Sequence, residues 1–188
     1  MKIFILDNYD SFTYNLVHAL EQFADISVKR NDQTTISELK HFDKLVFSPG
    51  PGLPSDVKIM SDIIDIYKET KAILGVCLGH QAIAEYFGGN LLNMPEVNHG
   101  REFNTLITNT SDYLYNNIPQ NFFSGRYHSW IVSKENFPEH LEITSVDSQT
   151  KSIMSLKHKT HDIRGVQFHP ESVMTKVGFQ MLSNWVKH

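Results

Sequence analysis

The chain has 188 residues and a formal net charge of −4 at pH 7, with 40% hydrophobic and 20% charged residues. This length is enough for one domain that buries a core without disulfides, and the composition is that of a soluble globular protein. The acidic balance gives no sign of binding to nucleic acid or to an anionic membrane surface. A single cysteine excludes an internal disulfide, so we expect a reducing, cytoplasmic setting.

The first half of the chain alternates short apolar runs with amphipathic stretches. Ile3–Leu6 predicts a buried strand and is too short for a signal peptide. Helical spacing from Phe12 to Leu20 predicts a helix with Ser11 as its N-cap. Further strands are predicted at 26–28, 44–48 and 72–76, with helices at 36–40 and 57–69. The alternation predicts right-handed βαβ units and an open, twisted, mostly parallel sheet flanked by helices, which is an α/β fold.

After residues 88–89 the pattern changes to short alternating segments. Those at 104–108, 141–146 and 152–157 predict antiparallel strands that form a smaller sheet region. The chain closes with an apolar run at 165–168, a turn at 169–170, and a predicted helix through Val173, Phe179 and Trp185. Because no linker or internal repeat divides the sequence, we expect a single domain over residues 1–188.

The only cysteine, Cys77, ends an apolar run and has Gly75 and Gly79 two residues away on either side. This is the Gly-x-nucleophile-x-Gly pattern of a sharp strand-to-helix turn, where small neighbours are needed because the backbone is strained. The turn presents the sulfur at the start of a helix, where the dipole and unpaired N–H groups favour the thiolate. We therefore interpret Cys77 as a nucleophile; an inert, buried cysteine is the alternative.

A cysteine nucleophile needs a base, and the base needs an orienting group. Among ten histidines, His169 differs because it follows an apolar run and because Pro170 restricts it to an extended backbone. Glu171 lies two residues later, points the same way in an extended segment, and can accept an imidazole N–H. For the tripeptide His169-Pro170-Glu171 taken alone, the alternative interpretation is a histidine at a strand end beside a glutamate that caps a helix. The cysteine turn favours the catalytic interpretation.

A nucleophile of this kind also needs an oxyanion hole, which is two backbone N–H groups aimed at the developing negative oxygen. One is expected from Leu78, directly after the nucleophile. The other is expected from the loop at 48–52, Ser-Pro-Gly-Pro-Gly, in which glycines permit positive φ, although a plain turn is the alternative. No phosphate-binding pattern is present. A zinc site at Cys77 and His80 lacks a second cysteine, so we expect no metal.

Together these segments resemble the class I, or triad, glutamine amidotransferases. Within that family they are similar to the small glutaminase subunits of anthranilate synthase and aminodeoxychorismate synthase. The resemblance covers essentially the whole chain through segments in the family's order, at 7–16, 48–52, 74–83, 99–100, 127–129 and 165–172. It implies the glutamine amidotransferase fold, which is flavodoxin-like.

The resemblance also implies roles for individual residues. Cys77 would be the nucleophile, His169 the general base and acid, and Glu171 its orienter. Gly52 and Leu78 would supply the oxyanion N–H groups. Glutamine would be held by Gly50, Gly52, Gln81, Ser129 and Trp130. The partner interface would include Asn8, Tyr9, Asp10, Ser11 and Phe12. Two positions depart from the family pattern: Trp130 replaces a usual aliphatic residue, and Arg101 replaces a usual lysine.

The function implied is hydrolysis of glutamine to glutamate and ammonia through a Cys77 thioester. The ammonia would pass to a separate chorismate-using synthase subunit in a hetero-oligomer. Anthranilate synthase, of tryptophan biosynthesis, is the first assignment, and aminodeoxychorismate synthase, of p-aminobenzoate and folate biosynthesis, is the alternative. Less favoured are a stand-alone γ-glutamyl hydrolase and a non-catalytic regulatory subunit. No cofactor is expected in this chain, whereas the partner synthase subunit is expected to use Mg²⁺; neither nucleic acid nor a membrane is expected as a partner.

Overall fold

The computed structural model describes residues 1–94 and 100–188. Its helices are α1 (Thr13–Leu20), α2 (Ile59–Tyr67), α3 (Leu78–Tyr86) and α4 (Gly178–Lys187), with 3-10 turns at Ile36–His41, Pro54–Asp56 and Tyr113–Tyr115. Its strands are β1 (Lys2–Asp7), β2 (Asp25–Arg30), β3 (Lys44–Phe47), β4 (Ala72–Val76), β5 (Leu91–Asn93), β6 (Arg101–Ile107), β7 (Asn121–Arg126), β8 (Trp130–Val132), β9 (Leu141–Asp147), β10 (Ile153–His158) and β11 (Ile163–Val166). None of the helices within these ranges is long and apolar enough to cross a membrane.

Nine strands of the described ranges form one mixed sheet in the order β2-β1-β3-β4-β11-β10-β9-β6-β7, and β5 pairs with β8 separately. Pairing is parallel from β2 to β11 and antiparallel from β11 to β7. The predicted α/β fold with both kinds of pairing is confirmed, and the antiparallel strands extend the parallel sheet. Because β11 lies beside β4, the chain segments that follow these two strands meet at one edge of the sheet.

The apolar core lies on both faces of the large sheet. Alternate residues of β1 point to opposite faces, Ile3 and Ile5 to one and Phe4 and Leu6 to the other. The first face packs with α1 and α4, and the second with α2 and α3. A strand covered on both sides excludes water from all its side chains, which explains the unbroken apolar runs in the sequence.

Two helix starts differ from the prediction. Ser11 does not cap α1, which begins at Thr13 with Phe12 in the capping position and no capping side chain. The carboxylates of Asp7 and Asp10 shape the preceding turn instead: Asp7 accepts from the backbone N–H of Tyr9, and Asp10 accepts from that of Phe12 at 2.7 Å. A Ser11 cap would accept from the N–H of Thr13 or Tyr14. The N–H of Thr13 instead donates to the backbone carbonyl of Asp10 at 3.3 Å.

The last helix is shorter than predicted, because α4 begins at Gly178 and leaves Val173 exposed outside it. Residues 169–178 instead form successive turns, in which the hydroxyl of Thr175 donates to the carbonyl of His169 at 2.7 Å. A Cβ atom at Gly178 would lie 1.8 Å from the carbonyl oxygen of Pro170. The close packing of these turns against the helix start therefore requires glycine at position 178.

Candidate active site

Cys77 occupies a strained turn between β4 and α3, as the sequence pattern predicts. Its φ is +52° and its ψ is −99°, a conformation that non-glycine residues rarely adopt. A Cβ atom at Gly75 would lie 2.4 Å from the backbone of Gly79, and one at Gly79 would lie 2.6 Å from the Cβ atom of Phe47. Both glycines are therefore needed for the turn to pack. The backbone N–H of Cys77 donates to the carbonyl of Val166 at 2.8 Å, which fixes the turn to the end of β11.

His169 and Glu171 form a buried pair next to this turn. The Nδ1 atom of His169 lies 2.7 Å from Oε1 of Glu171, and both side chains are almost fully excluded from solvent. The rings of Phe12 and Tyr127 pack against the imidazole at centroid distances of 5.3 and 4.9 Å. Because Nδ1 is engaged by the carboxylate, Nε2 is the nitrogen that can exchange a proton with another group.

The charge on the His169 imidazole depends on two opposing effects. Burial alone lowers the pKa of His169, but the Glu171 carboxylate and the Cys77 sulfur outweigh it and raise that pKa well above 6.5. The imidazole is therefore protonated at neutral pH beside the sulfur. This arrangement provides a proton donor next to a nucleophile, with a carboxylate that holds the donor in one orientation.

A cavity of about 150 Å³ opens beside Cys77. It is lined by Gly50, Pro51, Gly52, Cys77, Gln81, Tyr127, His128, Ser129 and Trp130. Gly52 has φ +77°, as the prediction of a positive-φ glycine in this loop requires. Leu78 is the first residue of α3, where backbone N–H groups have no intrahelical partner. Three segments that are distant in sequence thus meet around the sulfur.

Gln81 is held in one orientation inside this cavity. Its Nε2 atom donates to the carbonyl of Trp130 at 2.9 Å and to Oε1 of Gln167 at 3.2 Å. The Nδ1 atom of His128 also lies 3.1 Å from the Trp130 carbonyl. The carbonyl of Trp130 therefore shapes the wall of the cavity, and the Oε1 atom of Gln81 is the part of its amide left for a ligand.

Gln167 is a residue of this site for which the sequence pattern predicts no role. In the structure Gln167 is fully buried, and its Nε2 atom lies 3.6 Å from Sγ of Cys77. The signal that could have found it is the two-residue period of extended backbone, which puts residues 167 and 169 on the same side of the chain.

The predicted interface residues fall into two groups. Asn8 is buried: its backbone N–H donates to the hydroxyl of Ser48 and its amide to the Ser48 carbonyl, both at 2.9 Å. The side chain of Asn8 therefore braces the 48–52 loop from inside, and its place in an interface stays a prediction. Tyr9 and Ser11 are exposed, while Asp10 and Phe12 are half-buried. His99, part of one segment of the resemblance, lies outside the described residues, and Arg101 begins β6 with an exposed side chain.

A larger cavity of about 380 Å³ adjoins the first one through His128. Its wall includes the buried ion pair between Arg126 and Asp147, whose nearest atoms are 2.5 Å apart. Neither Cys77 nor His169 lines it, so we place the chemistry in the smaller cavity. Within residues 1–94 and 100–188, no group of three or more histidine, cysteine or acidic side chains could hold a metal ion.

His80, on α3 next to the site, is expected to make the folded chain less stable in acid. Its ring is fully buried against Gly165, and burial lowers its pKa to about 4. The unfolded chain binds a proton at this histidine below about pH 6.5 while the folded chain does not, so stability falls as the pH drops from there toward 4. We expect about 2 kcal/mol of loss at pH 5 from this residue. His80→Met should remove that loss in urea unfolding at pH 7.5 and pH 5.

The control for this measurement is His41→Gln, at an exposed histidine, which should keep the wild-type difference between the two pH values. An unchanged difference in His80→Met would show that His80 is protonated in the folded chain as readily as in the unfolded one.

Comparisons with known proteins agree with this geometry. The family model "Glutamine amidotransferase class-I" matches residues 4–188. The chain is 41% identical over 190 residues to "Anthranilate synthase component 2" of Pyropia yezoensis, covering 99% of each protein, and 40% identical over 187 residues to "Aminodeoxychorismate synthase component 2" of Escherichia coli K12, covering 98% of each. The crystal structure of a putative GMP synthase protein from Thermoplasma acidophilum superposes with a TM-score of 0.89 at 24% identity, covering 100% of this chain and 92% of that one.

Proposed function

The chain belongs to the class I glutamine amidotransferase family, and from this premise we propose that it is the glutaminase subunit of a chorismate-using synthase. The main support for the proposal is a cavity lined by Cys77 and Gln81, with the buried His169–Glu171 pair next to the Cys77 sulfur. This arrangement provides a nucleophile, a proton donor and a polar group for substrate at one site.

In the proposed reaction the Cys77 thiolate attacks the side-chain amide carbon of glutamine and forms a C–S bond. The backbone N–H groups of Gly52 and Leu78 hold the oxyanion. The Nε2–H of His169 protonates the leaving nitrogen, so that ammonia departs and a γ-glutamyl thioester remains. His169, now neutral, takes a proton from water, whose oxygen attacks the thioester. Collapse of the second oxyanion releases glutamate and restores the thiolate beside the protonated imidazole.

Glutamine is a zwitterion at its α-carbon, so its site needs both an acceptor and donors. We assign the acceptor to Oε1 of Gln81, because Nε2 of that amide is already bonded to Trp130 and Gln167. Backbone groups of Ser129 and Trp130 complete the recognition, and Gly50 brings the loop backbone close. A Cβ atom at Gly50 would lie 2.7 Å from the carbonyl oxygen of Asn8, which explains why the approach needs glycine.

The partner in this proposal is a separate synthase subunit that consumes the ammonia, as the "component 2" names of the relatives suggest. Anthranilate synthase is our first assignment and aminodeoxychorismate synthase the alternative, since relatives of both names match at about the same identity. The chain itself would need no cofactor, and the partner subunit would use Mg²⁺. A thiolate nucleophile requires reducing conditions, which supports action in the cytoplasm.

Purification of the chain with its native partner tests this assignment. We expect weak glutaminase activity from the chain alone, and a rise when partner and chorismate are added, because ammonia release is useful only when a second site can accept it. Chromatography of the product identifies anthranilate or aminodeoxychorismate. Full glutaminase activity in the isolated chain would support a stand-alone hydrolase instead, and absence of any glutaminase activity in the complex would support a regulatory subunit.

A further inference from the structure

The side chain of Gln167 connects the nucleophile to the substrate-binding glutamine. It is fully buried, with Nε2 3.6 Å from Sγ of Cys77 and Oε1 3.2 Å from Nε2 of Gln81. Its backbone N–H donates to the carbonyl of Met154 at 2.8 Å. This hydrogen bond fixes the backbone position from which the Gln167 side chain extends. None of the reaction steps above uses this amide.

The hydrogen-bond network fixes which end of the Gln167 amide faces the sulfur. The carbonyl of Trp130 can only accept, so Gln81 must turn its NH₂ group toward it, at 2.9 Å. The same NH₂ group lies next to the Gln167 amide, which must therefore offer its oxygen there. The NH₂ group of Gln167 is left to face Sγ of Cys77.

An amide N–H next to this sulfur favours the thiolate over the neutral thiol. A thiolate is a much better hydrogen-bond acceptor than a neutral thiol, and the contact is shielded from water, which strengthens it. Gln167 carries no charge, so it can stabilise the thiolate without competing with Glu171 for the His169 imidazolium. The same amide, through Oε1, restrains Gln81.

We propose that Gln167 is a positioning residue of the glutaminase reaction, which steadies the Cys77 thiolate through Nε2 and fixes the Gln81 amide through Oε1. The inference about Gln81 rests on the proposed function, since it concerns how glutamine is held. The inference about the sulfur does not, because it concerns a contact present without substrate. A residue that only fills the core would affect folding stability and leave both the sulfur and the substrate affinity unchanged.

Alkylation of the full chain by iodoacetamide between pH 5 and pH 9 tests the contact, because Cys77 is the only cysteine and only the thiolate reacts. Gln167→Met keeps the volume and removes the donor. We expect the pH midpoint of alkylation to rise by about half a unit to one unit, a 3- to 10-fold slower reaction on the acid side. Gln167→Glu, which can accept but not donate when ionised, should raise the midpoint further. The matched control is Met154→Leu on the adjoining strand, which should leave it unchanged.

With the partner present, we expect Gln167→Met to raise the KM for glutamine about 3- to 10-fold, because Gln81 loses one of its two restraints. Circular dichroism and urea unfolding identify the folded variants. A wild-type alkylation midpoint in folded Gln167→Met overturns the proposal, whether or not the chain hydrolyses glutamine. A raised midpoint supports the sulfur contact even if no glutaminase activity is found, which would contradict the proposed function alone.

Discussion

Cys77→Ser is expected to abolish glutamine-dependent synthesis by the assembled enzyme and to leave synthesis from free ammonia at the wild-type rate. The loss should be about 10³-fold or more, because a serine hydroxyl is not deprotonated at neutral pH by the imidazole that serves the thiol. The oxygen is smaller than the sulfur and the backbone turn is unchanged, so the fold should persist. Product formation with glutamine and with an ammonium salt, measured on the same preparation, gives both values.

The ammonia reaction serves as the internal control for this prediction. It depends on the partner's active site and on an intact complex, but not on Cys77. If the ammonia-dependent rate also vanished while gel filtration showed an intact complex, the two reactions would not be divided between two subunits. If glutamine-dependent synthesis survived, Cys77 would not be the nucleophile.

Three central strands of the parallel half, β1, β3 and β4, follow from local sequence because they are buried on both faces. Such strands must be apolar throughout, so the runs at β1, β3 and β4 are visible without any knowledge of their neighbours. The turn at Cys77 is local in part: Gly75 is required by the backbone of Gly79 in the same strand–turn–helix unit, whereas Gly79 is required by Phe47 on β3. For the strands and for the position of the turn, the spacing of residues along the sequence is sufficient.

The features that the sequence did not predict depend on contacts between distant segments. Gln167 meets Gln81 across 86 residues, and nothing in either segment shows the other nearby. Asn8 lies in a polar loop that predicts exposure, but its amide bonds to Ser48, 40 residues away, and is buried. Polar residues at strand ends are equally suited to solvent and to a buried hydrogen bond, so only the tertiary structure decides between the two.

The second large effect is expected from Glu171→Gln, which removes the charge beside His169 and keeps the size of the side chain. Without the carboxylate, only the Cys77 sulfur opposes the effect of burial, so the pKa of His169 falls from its raised value. The imidazole is then less protonated at neutral pH, and it no longer has a charged acceptor to hold it in one orientation. We expect kcat/KM for glutamine to fall by about 10²- to 10⁴-fold. Glu69→Gln, at an exposed glutamate, should have no effect.

The pH dependence distinguishes this role from simple packing. Wild-type activity should decline at high pH as the His169 imidazolium loses its proton, and in Glu171→Gln that decline should begin at a lower pH. The same group affects stability: because its folded pKa is raised, charged His169 contributes stability that is complete below about pH 6.5 and is lost as the pH rises through the folded pKa. The variant should lack this contribution. A variant with reduced stability but an unshifted pH profile would show that Glu171 only fills space, and the proton donor of the reaction would then have to be oriented by another group.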